Sequence, residues 1–288
     1  MLPARFEYHR PSSIDEALGL LSSLEDPKVL AGGQSLIPVM KLRFATPANL
    51  VDINRVPGLD GIEASNGTLR IGALVRHNQV AASDVVSSKH ALLAATAPQI
   101  ADPLVRNLGT VGGSLAHADP AGDWGSTMLA AGASVVLRSA RGEREVPVSE
   151  FLVDIFTTTI EPDEVLTEVR VPLPAAATGG AYLKLERKIG DFATVGVAVQ
   201  VELDGDTIGR AGIGLTGVGS KNLQATEAER ALAGAAPDEE AFAGAGRLAA
   251  AACDPVGDVR GSAEYKRHIV DVYVRRGLAR AVEIARAA

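Results

Sequence analysis

Gly32 and Gly33, followed by Gln34 and Ser35, stand between an apolar run, Val29 to Ala31, and a helix-compatible segment after Pro38, Val39 to Arg43. Paired glycines at a strand–helix junction let the backbone take positive φ and let a ligand approach the main chain. Their N–H groups, joined by the Gln34 and Ser35 side chains, form a candidate diphosphate cradle. Alone, the stretch also reads as a tight turn. A second stretch of the same kind, Thr110-Val111-Gly112-Gly113-Ser114, follows later in the chain. Two such loops meeting in space would hold an anion through N–H donors without a lysine.

Other constellations carry less. Gly212-Ile213-Gly214-Leu215-Thr216-Gly217 matches GxGxxG, but no helix opens inside it and no βαβ unit surrounds it, as the dinucleotide fingerprint requires. It reads instead as a strand whose glycines relieve crowding against packed helices. Gly112-Gly113-Ser114, with His117, Asp119 and Asp123 nearby, resembles half of a nucleophile elbow. Ala116 replaces the closing glycine, so a serine hydrolase stays the alternative from another class. There is no GxxxxGK[ST] segment, which excludes a P-loop. The five histidines (His9, His77, His90, His117, His268) form no HxH or HxxxH pair that would suggest zinc. The single cysteine, Cys253, cannot ligate an iron–sulfur cluster alone. Redox chemistry here would need an organic cofactor. Arg187 to Phe192 is a charged turn, a solvated loop unless it borders a cleft between domains.

The elements that must position these residues follow from pattern and punctuation. Ser13 and Glu16 make a capping box for a helix with Ile14, Ala17, Leu18 and Leu21 on one face. Strands are expected at Lys28–Ala31 and Leu50–Ile53. A hairpin joins Gly61–Ala64 to Leu69–Gly72 through Asn66-Gly67. Helices are expected at His77–Ala82 and Lys89–Ile100, the second stopped by Asp102-Pro103, and at Trp124–Ala131 after a polar turn. Ser134–Arg138 and Glu143–Val148 flank an Arg141-Gly142 turn, and Glu164–Pro172 is a further strand. Pro174 to Gly180, small and poor in charge, is the candidate linker, placing a domain boundary between residues 177 and 178. Beyond it come the strands Ala181–Arg187, Phe192–Leu203 and Thr207–Thr216, then the helices Gln224–Leu232, Asp238–Ala252 and Ser262–Ala287. No regular βαβ repetition shows in either half, so the class expected is α+β.

With 288 residues, the chain is long enough for two domains. Its 47% hydrophobic and 22% charged residues suit a packed globular protein. A formal net charge of -7, without a basic stripe, argues against nucleic-acid binding. No apolar run approaches a membrane span, and Met1 to Arg10 has no signal-peptide core. The expectation is a soluble cytoplasmic protein, peripheral association with the inner face of the membrane being compatible with it.

Five motifs occur in one order: Ala31-Gly32-Gly33-Gln34-Ser35-Leu36, Ile71-Gly72-Ala73 with His77, Thr110 to Ser114, Asp119-Pro120 through Asp123, and Arg187-Lys188-Ile189-Gly190-Asp191-Phe192-Ala193. Together they make the chain resemble the FAD-binding medium subunit of the molybdenum hydroxylases, a family that includes xanthine dehydrogenase and, more similar here, aerobic carbon-monoxide dehydrogenase. The resemblance runs from Phe6 to Arg286. It implies an FAD-binding domain over 1–177, made of two α+β subdomains in a vanillyl-alcohol-oxidase-like flavin fold. A smaller domain of antiparallel strands and helices would follow over 178–288. It further implies that Ala31 to Ser35 and Thr110 to Ser114 (Thr110, Val111, Gly112, Gly113, Ser114) contact the diphosphate and ribityl chain. Asp123 would bind the adenosine ribose, Leu166 would pack near the adenine, and Lys184 would lie where the chain passes the flavin. Leu36, His77, Ile100 and His117 complete the implied cofactor-binding set, and the Arg187–Phe192 loop would border the isoalloxazine ring. The implied function is electron transfer with no catalytic acid or base in this chain. Electrons would arrive from a small iron–sulfur subunit, a large molybdenum subunit would oxidise the substrate, and the assembly would be a dimer of heterotrimers. A related hydroxylase of an N-heterocycle or aromatic compound is the nearest alternative. A stand-alone FAD oxidase is a further one, disfavoured because no covalent flavin tether is evident.

Overall fold

A computed structural model of the chain describes residues 2–288. Its N-terminal segment alternates β1 (Glu7–His9), α1 (Ile14–Ser23), β2 (Pro27–Leu30), α2 (Leu36–Lys41) and β3 (Asn49–Asp52). These strands pair in parallel in the order β1-β3-β2. Two strand–helix–strand units therefore occur where no βαβ repetition was expected. The class remains α+β because the named strands pair antiparallel everywhere else. Helix α1 buries Ala17, Leu18 and Leu21 against Val51 and Ile53. Ser13 caps it by accepting from the Glu16 N–H, but the Glu16 carboxylate takes the Ser12 N–H at 2.7 Å, one residue short of a reciprocal box. Helix α2 opens at Leu36, ahead of the expected start. Pro38 sits in its first turn, where N–H groups have no intrahelical partner to lose.

Next, β4 (Ile62–Ser65) and β5 (Thr68–Gly72) form the expected hairpin, with Asn66 and Gly67 at φ 50° and 75°. The short helices α3 (His77–Ala81), α4 (Asp84–Lys89), α5 (Ala91–Thr96) and α6 (Pro103–Arg106) follow, then α7 (Val111–His117) and α8 (Asp123–Ala131). The single helix expected over Lys89–Ile100 is broken. His90 leaves helical geometry at φ -148° to cap α5, and Pro98 tightens Ala97–Gln99 into a 3-10 turn. After β6 (Ser134–Ser139), β7 (Gly142–Pro147), α9 (Val148–Phe151) and the small hairpin β8 (Leu152–Asp154) with β9 (Thr157–Thr158), the chain enters β10 (Val165–Pro172). A five-stranded antiparallel sheet results, ordered β4-β5-β10-β6-β7. Leu69, Ile71, Leu137 and Val169 of this sheet share one core with Leu93, Leu115, Trp124 and Met128 of the helices.

The remainder is a four-stranded antiparallel sheet, β11 (Thr178–Leu185), β12 (Val195–Asp204), β13 (Thr207–Thr216) and β14 (Leu223–Gln224), followed by α10 (Thr226–Leu232), α11 (Glu239–Ala251) and α12 (Ala263–Ala287). Along β12, Val195, Val197, Val199 and Val201 face a core shared with Val270, Val274 and Leu278 of α12, while Ala198 joins the first core. Period-two alternation thus lets one sheet serve two cores. The GxGxxG segment is strand, as expected. A Cβ on Gly212 would collide with the Ala130 carbonyl, and one on Gly214 with the Ser126 carbonyl. The glycines let α8 lie on the sheet backbone.

Candidate functional site

The two glycine stretches meet. Gly32 packs on the Leu108 carbonyl and Gly109 so closely that a Cβ has no room, and a Cβ on Gly113 would stand 3.6 Å from that of Ala31. Their roles differ, however. The first stretch leaves β2 as half-buried irregular chain, with Gly33 at φ 72°. Six consecutive N–H groups, Ala31 to Leu36, have no hydrogen-bond partner among the described residues. Successive unpaired amides around a left-handed residue form an anion-binding concavity. Gln34 Nε2 reaches the Gly32 carbonyl at 3.4 Å, which keeps that oxygen occupied.

The second stretch is not the expected loop. It opens α7, capped by Thr110, whose Oγ1 accepts from the Gly113 N–H at 3.0 Å. The Val111, Gly112 and Ser114 N–H groups donate to Val75, Ala73 and Thr110 carbonyls, each at 3.0 Å. These amides are engaged inside the protein, which corrects the expectation that both stretches donate to one anion. What the second stretch offers is a flat wall and the half-buried Ser114 hydroxyl, which makes no hydrogen bond among the described residues. Gly112 has to be glycine because Ala73 occupies the space of a Cβ.

His77 lies beneath this wall. Trp124 Nε1 donates to its Nδ1 at 3.0 Å, so the ring proton sits on Nε2, which faces Gly109. Burial, then the charges of Arg106 and Arg76, hold the His77 pKa down at about 4. His117 ends α7, its ring centroid 5.0 Å from that of Phe156, with its pKa lowered by burial. No hydrogen bond links Ser114 to His117 among the described residues, and both belong to one short helix. A nucleophile–base pair is not assembled.

A second group gathers where α8 meets β11. Asp123, at the first position of α8, accepts from the Tyr182 hydroxyl and from Lys184 Nζ at 3.0 Å; the Lys184 side chain is 2% exposed. Burial raises the Asp123 pKa and the Lys184 charge opposes that rise; burial, then Asp123, pushes the Tyr182 hydroxyl well up. Lys184 also donates to the Gln99 carbonyl at 3.0 Å, beside buried Ile100, whose own carbonyl accepts from Arg106 at 2.9 Å. Gly190 of the Arg187–Phe192 loop packs on Ala101 and Asp102, and Ile189 at its tip is 95% exposed. Leu166 is a core residue of β10 opposite Leu137. The structure thus brings the glycine stretches together with His77, and separately Ile100 with Asp123 and Lys184. Sequence reasoning missed Asn54, Arg76 and Tyr182. Only the alternation of β11 pointed to Tyr182 and Lys184 sharing a strand, and nothing local marked Asn54 or Arg76.

Residues 4–174 match the family described as "FAD binding domain in molybdopterin dehydrogenase", and residues 180–281 match "CO dehydrogenase flavoprotein C-terminal domain". The chain is 44% identical to the carbon monoxide dehydrogenase medium chain of Hydrogenophaga pseudoflava, covering 96% of this chain and 97% of that one. It is 41% identical to the 6-hydroxypseudooxynicotine dehydrogenase complex subunit alpha of Paenarthrobacter nicotinovorans, covering 99% and 97%. Among solved structures, the Hydrogenophaga pseudoflava carbon monoxide dehydrogenase that lacks the Mo-pyranopterin moiety superposes with a TM-score of 0.95 at 46% identity, covering 98% of both chains.

Proposed function

The chain belongs to the family of FAD-binding subunits of the molybdopterin dehydrogenases, and we propose that it is the flavin subunit of an aerobic carbon monoxide dehydrogenase. FAD would supply the exchange between one- and two-electron steps that links iron–sulfur clusters of a small partner subunit to an external acceptor. The observation that carries the assignment to this chain is the row of unpaired amides from Ala31 to Leu36 against the α7 wall. A diphosphate needs several N–H donors, and this acidic chain offers them from backbone.

The chain's own residues divide the work. Ala31, Gly32, Gly33, Gln34, Ser35 and Leu36 hold the diphosphate, with the Ser114 hydroxyl as a further donor. Thr110, Val111, Gly112 and Gly113 form the wall that fixes its position. Asp123, held by Tyr182 and Lys184, retains acceptor capacity for a ribose hydroxyl. His77 and Leu166 act as packing, Ile100 and His117 complete the cofactor-binding set, and the Arg187–Phe192 loop borders the flavin ring. The domain boundary is placed between residues 177 and 178, where β11 begins. A small iron–sulfur and a large molybdenum subunit complete the complex, a dimer of heterotrimers in the cytoplasm. Carbon monoxide is favoured as substrate by the two carbon monoxide dehydrogenase medium chains at 44% and 42% identity. A relative at 41% identity is named for 6-hydroxypseudooxynicotine dehydrogenase, which keeps a related hydroxylase as the nearest alternative.

The purified protein should carry a yellow cofactor that chromatographs as FAD after denaturation. In the complex, carbon monoxide should bleach it anaerobically, whereas the isolated chain should leave carbon monoxide untouched. A colourless complex with full activity would falsify the assignment. Bulky substitutions at Gly32 or Gly112 are a poor probe, since each would clash with protein backbone even without a cofactor.

A further inference from the structure

Between the glycine stretches lies a network that pattern reading does not reveal. Asn54 follows β3 and donates Nδ2 to the Ala31 carbonyl at 2.6 Å, the last carbonyl before Gly32. Arg76 precedes α3, and its Nη1 donates to the Leu108 carbonyl, the same oxygen on which Gly32 packs. Its Nη2 donates to Asn54 Oδ1 at 2.6 Å. One side-chain pair thus ties a carbonyl of the first stretch to the carbonyl that supports it from the second. Both ends are anchored. Asp52 Oδ1 accepts from Asn54 N and Nδ2 at 2.9 and 2.7 Å, and the other Asp52 oxygen accepts from the Tyr8 hydroxyl on β1. The Arg76 backbone bridges Thr110, and its N–H donates to Gln79 Oε1 at 2.7 Å. A cavity of about 170 Å³ beside them is lined by Asn54, Val56, Asp60, Leu74, Arg76 and Gln79.

We propose that Arg76 and Asn54 are positioning residues for the diphosphate cradle, a brace that sets the spacing of the two glycine stretches and shields the Leu108 carbonyl from the anion. The inference rests on the FAD assignment above and deepens it. A carbonyl oxygen under Gly32 turns a partial negative charge toward any anion on that glycine's amide. A guanidinium on that oxygen offsets the charge and fixes its place, and guanidinium–oxygen hydrogen bonds are among the stronger ones. Half-buried Arg76 faces Asp52 and Asp60, whose charges favour its ionised form against burial. Neither side chain need touch the cofactor.

The test uses the full-length chain, freed of flavin and titrated with FAD and with ADP, which shares the diphosphate and lacks the flavin. Wild type, Arg76→Met, Arg76→Lys, Asn54→Leu and the Met/Leu double variant are compared. Arg76→Met should weaken FAD and ADP by the same factor, about tenfold. The melting temperature of the flavin-free chain and the visible spectrum of the saturated protein should stay as in wild type. Arg76→Lys should recover part of the loss, and the double variant should lose less than the product of the two single losses. Wild-type affinity for both ligands in Arg76→Met, or a loss matched by a lower flavin-free melting temperature, overturns the brace and leaves the FAD assignment standing. Should Arg76→Met not fold, Arg76→Lys and Asn54→Leu carry the same comparison. A wild-type chain that binds no FAD overturns both.

Discussion

His90 is 1% exposed, caps α5 through Nδ1 at 3.5 Å, and leaves Nε2 buried without a partner. Burial holds its pKa down at about 4, as it does that of His77. Between pH 6.5 and pH 4 the unfolded chain takes up these protons and the folded chain does not. The stability they contribute is therefore complete above the unfolded pKa and is lost as pH falls toward the folded one. Each histidine accounts for about 2–3 kcal/mol over that window. His90→Asn keeps a capping side chain and removes one of these protons. Urea unfolding between pH 7 and pH 4.5 should show a shallower stability loss for the variant, by about one proton's worth. An unchanged slope would mean that His90 is protonated in the folded protein. Asp123 and Lys184 follow a different logic. They sit together out of water, and deleting either would strand the other's charge. Their sequence separation is why sequence alone gave each a role toward a ligand and none toward the other.

At the scale of elements, the glycines that looked like nucleotide motifs separate into two physical kinds. Gly212 and Gly214 exist for helix docking, and Gly214→Ala would push a methyl into the Ser126 carbonyl of α8. The expected cost is about 1–3 kcal/mol in chemical denaturation. Gly244, inside α11 with open space around it, should instead gain about 0.5–1 kcal/mol as alanine. Equal effects at the two positions would contradict this account of the β13 glycines. The hairpin turns, the β10–β13 strands and the C-terminal helices were legible because alternation, Asn-Gly turns and caps agree with the fold there. In the parallel β1-β3-β2 sheet, β2 and β3 were legible as apolar runs, but three-residue β1 and the parallel pairing were not, since such short strands show no period that fixes a partner. The break at His90 was hidden because the alanine- and leucine-rich stretch Ala91 to Ala95 favours helix, while the interruption depends on a histidine cap and one proline. For the site, sequence correctly paired the two glycine stretches. It misjudged their division of labour, because whether an amide is free depends on partners such as Ala73 and Val75 that lie far along the chain.

Across the whole molecule, the small parallel sheet carries the glycine turn, the five-stranded sheet packs with α7 and α8, and the C-terminal sheet offers glycines to α8. Unpaired amides mark the first of these regions, and a buried Asp123–Lys184 pair ties α8 to β11. No helix is long and apolar enough to cross a membrane among the described residues. The arrangement suits a subunit that holds a redox cofactor and leaves substrate chemistry to a partner. Hydrogen–deuterium exchange of the full-length chain, with and without stoichiometric FAD, tests that claim most directly. Without FAD, the amides of Ala31 to Leu36 should exchange fast while those of Val111 to Ser114 are already protected. With FAD, protection should appear at Ala31 to Leu36 and change little at Val111 to Ser114. Amides at 31–36 that stay unprotected when FAD is bound would contradict the account.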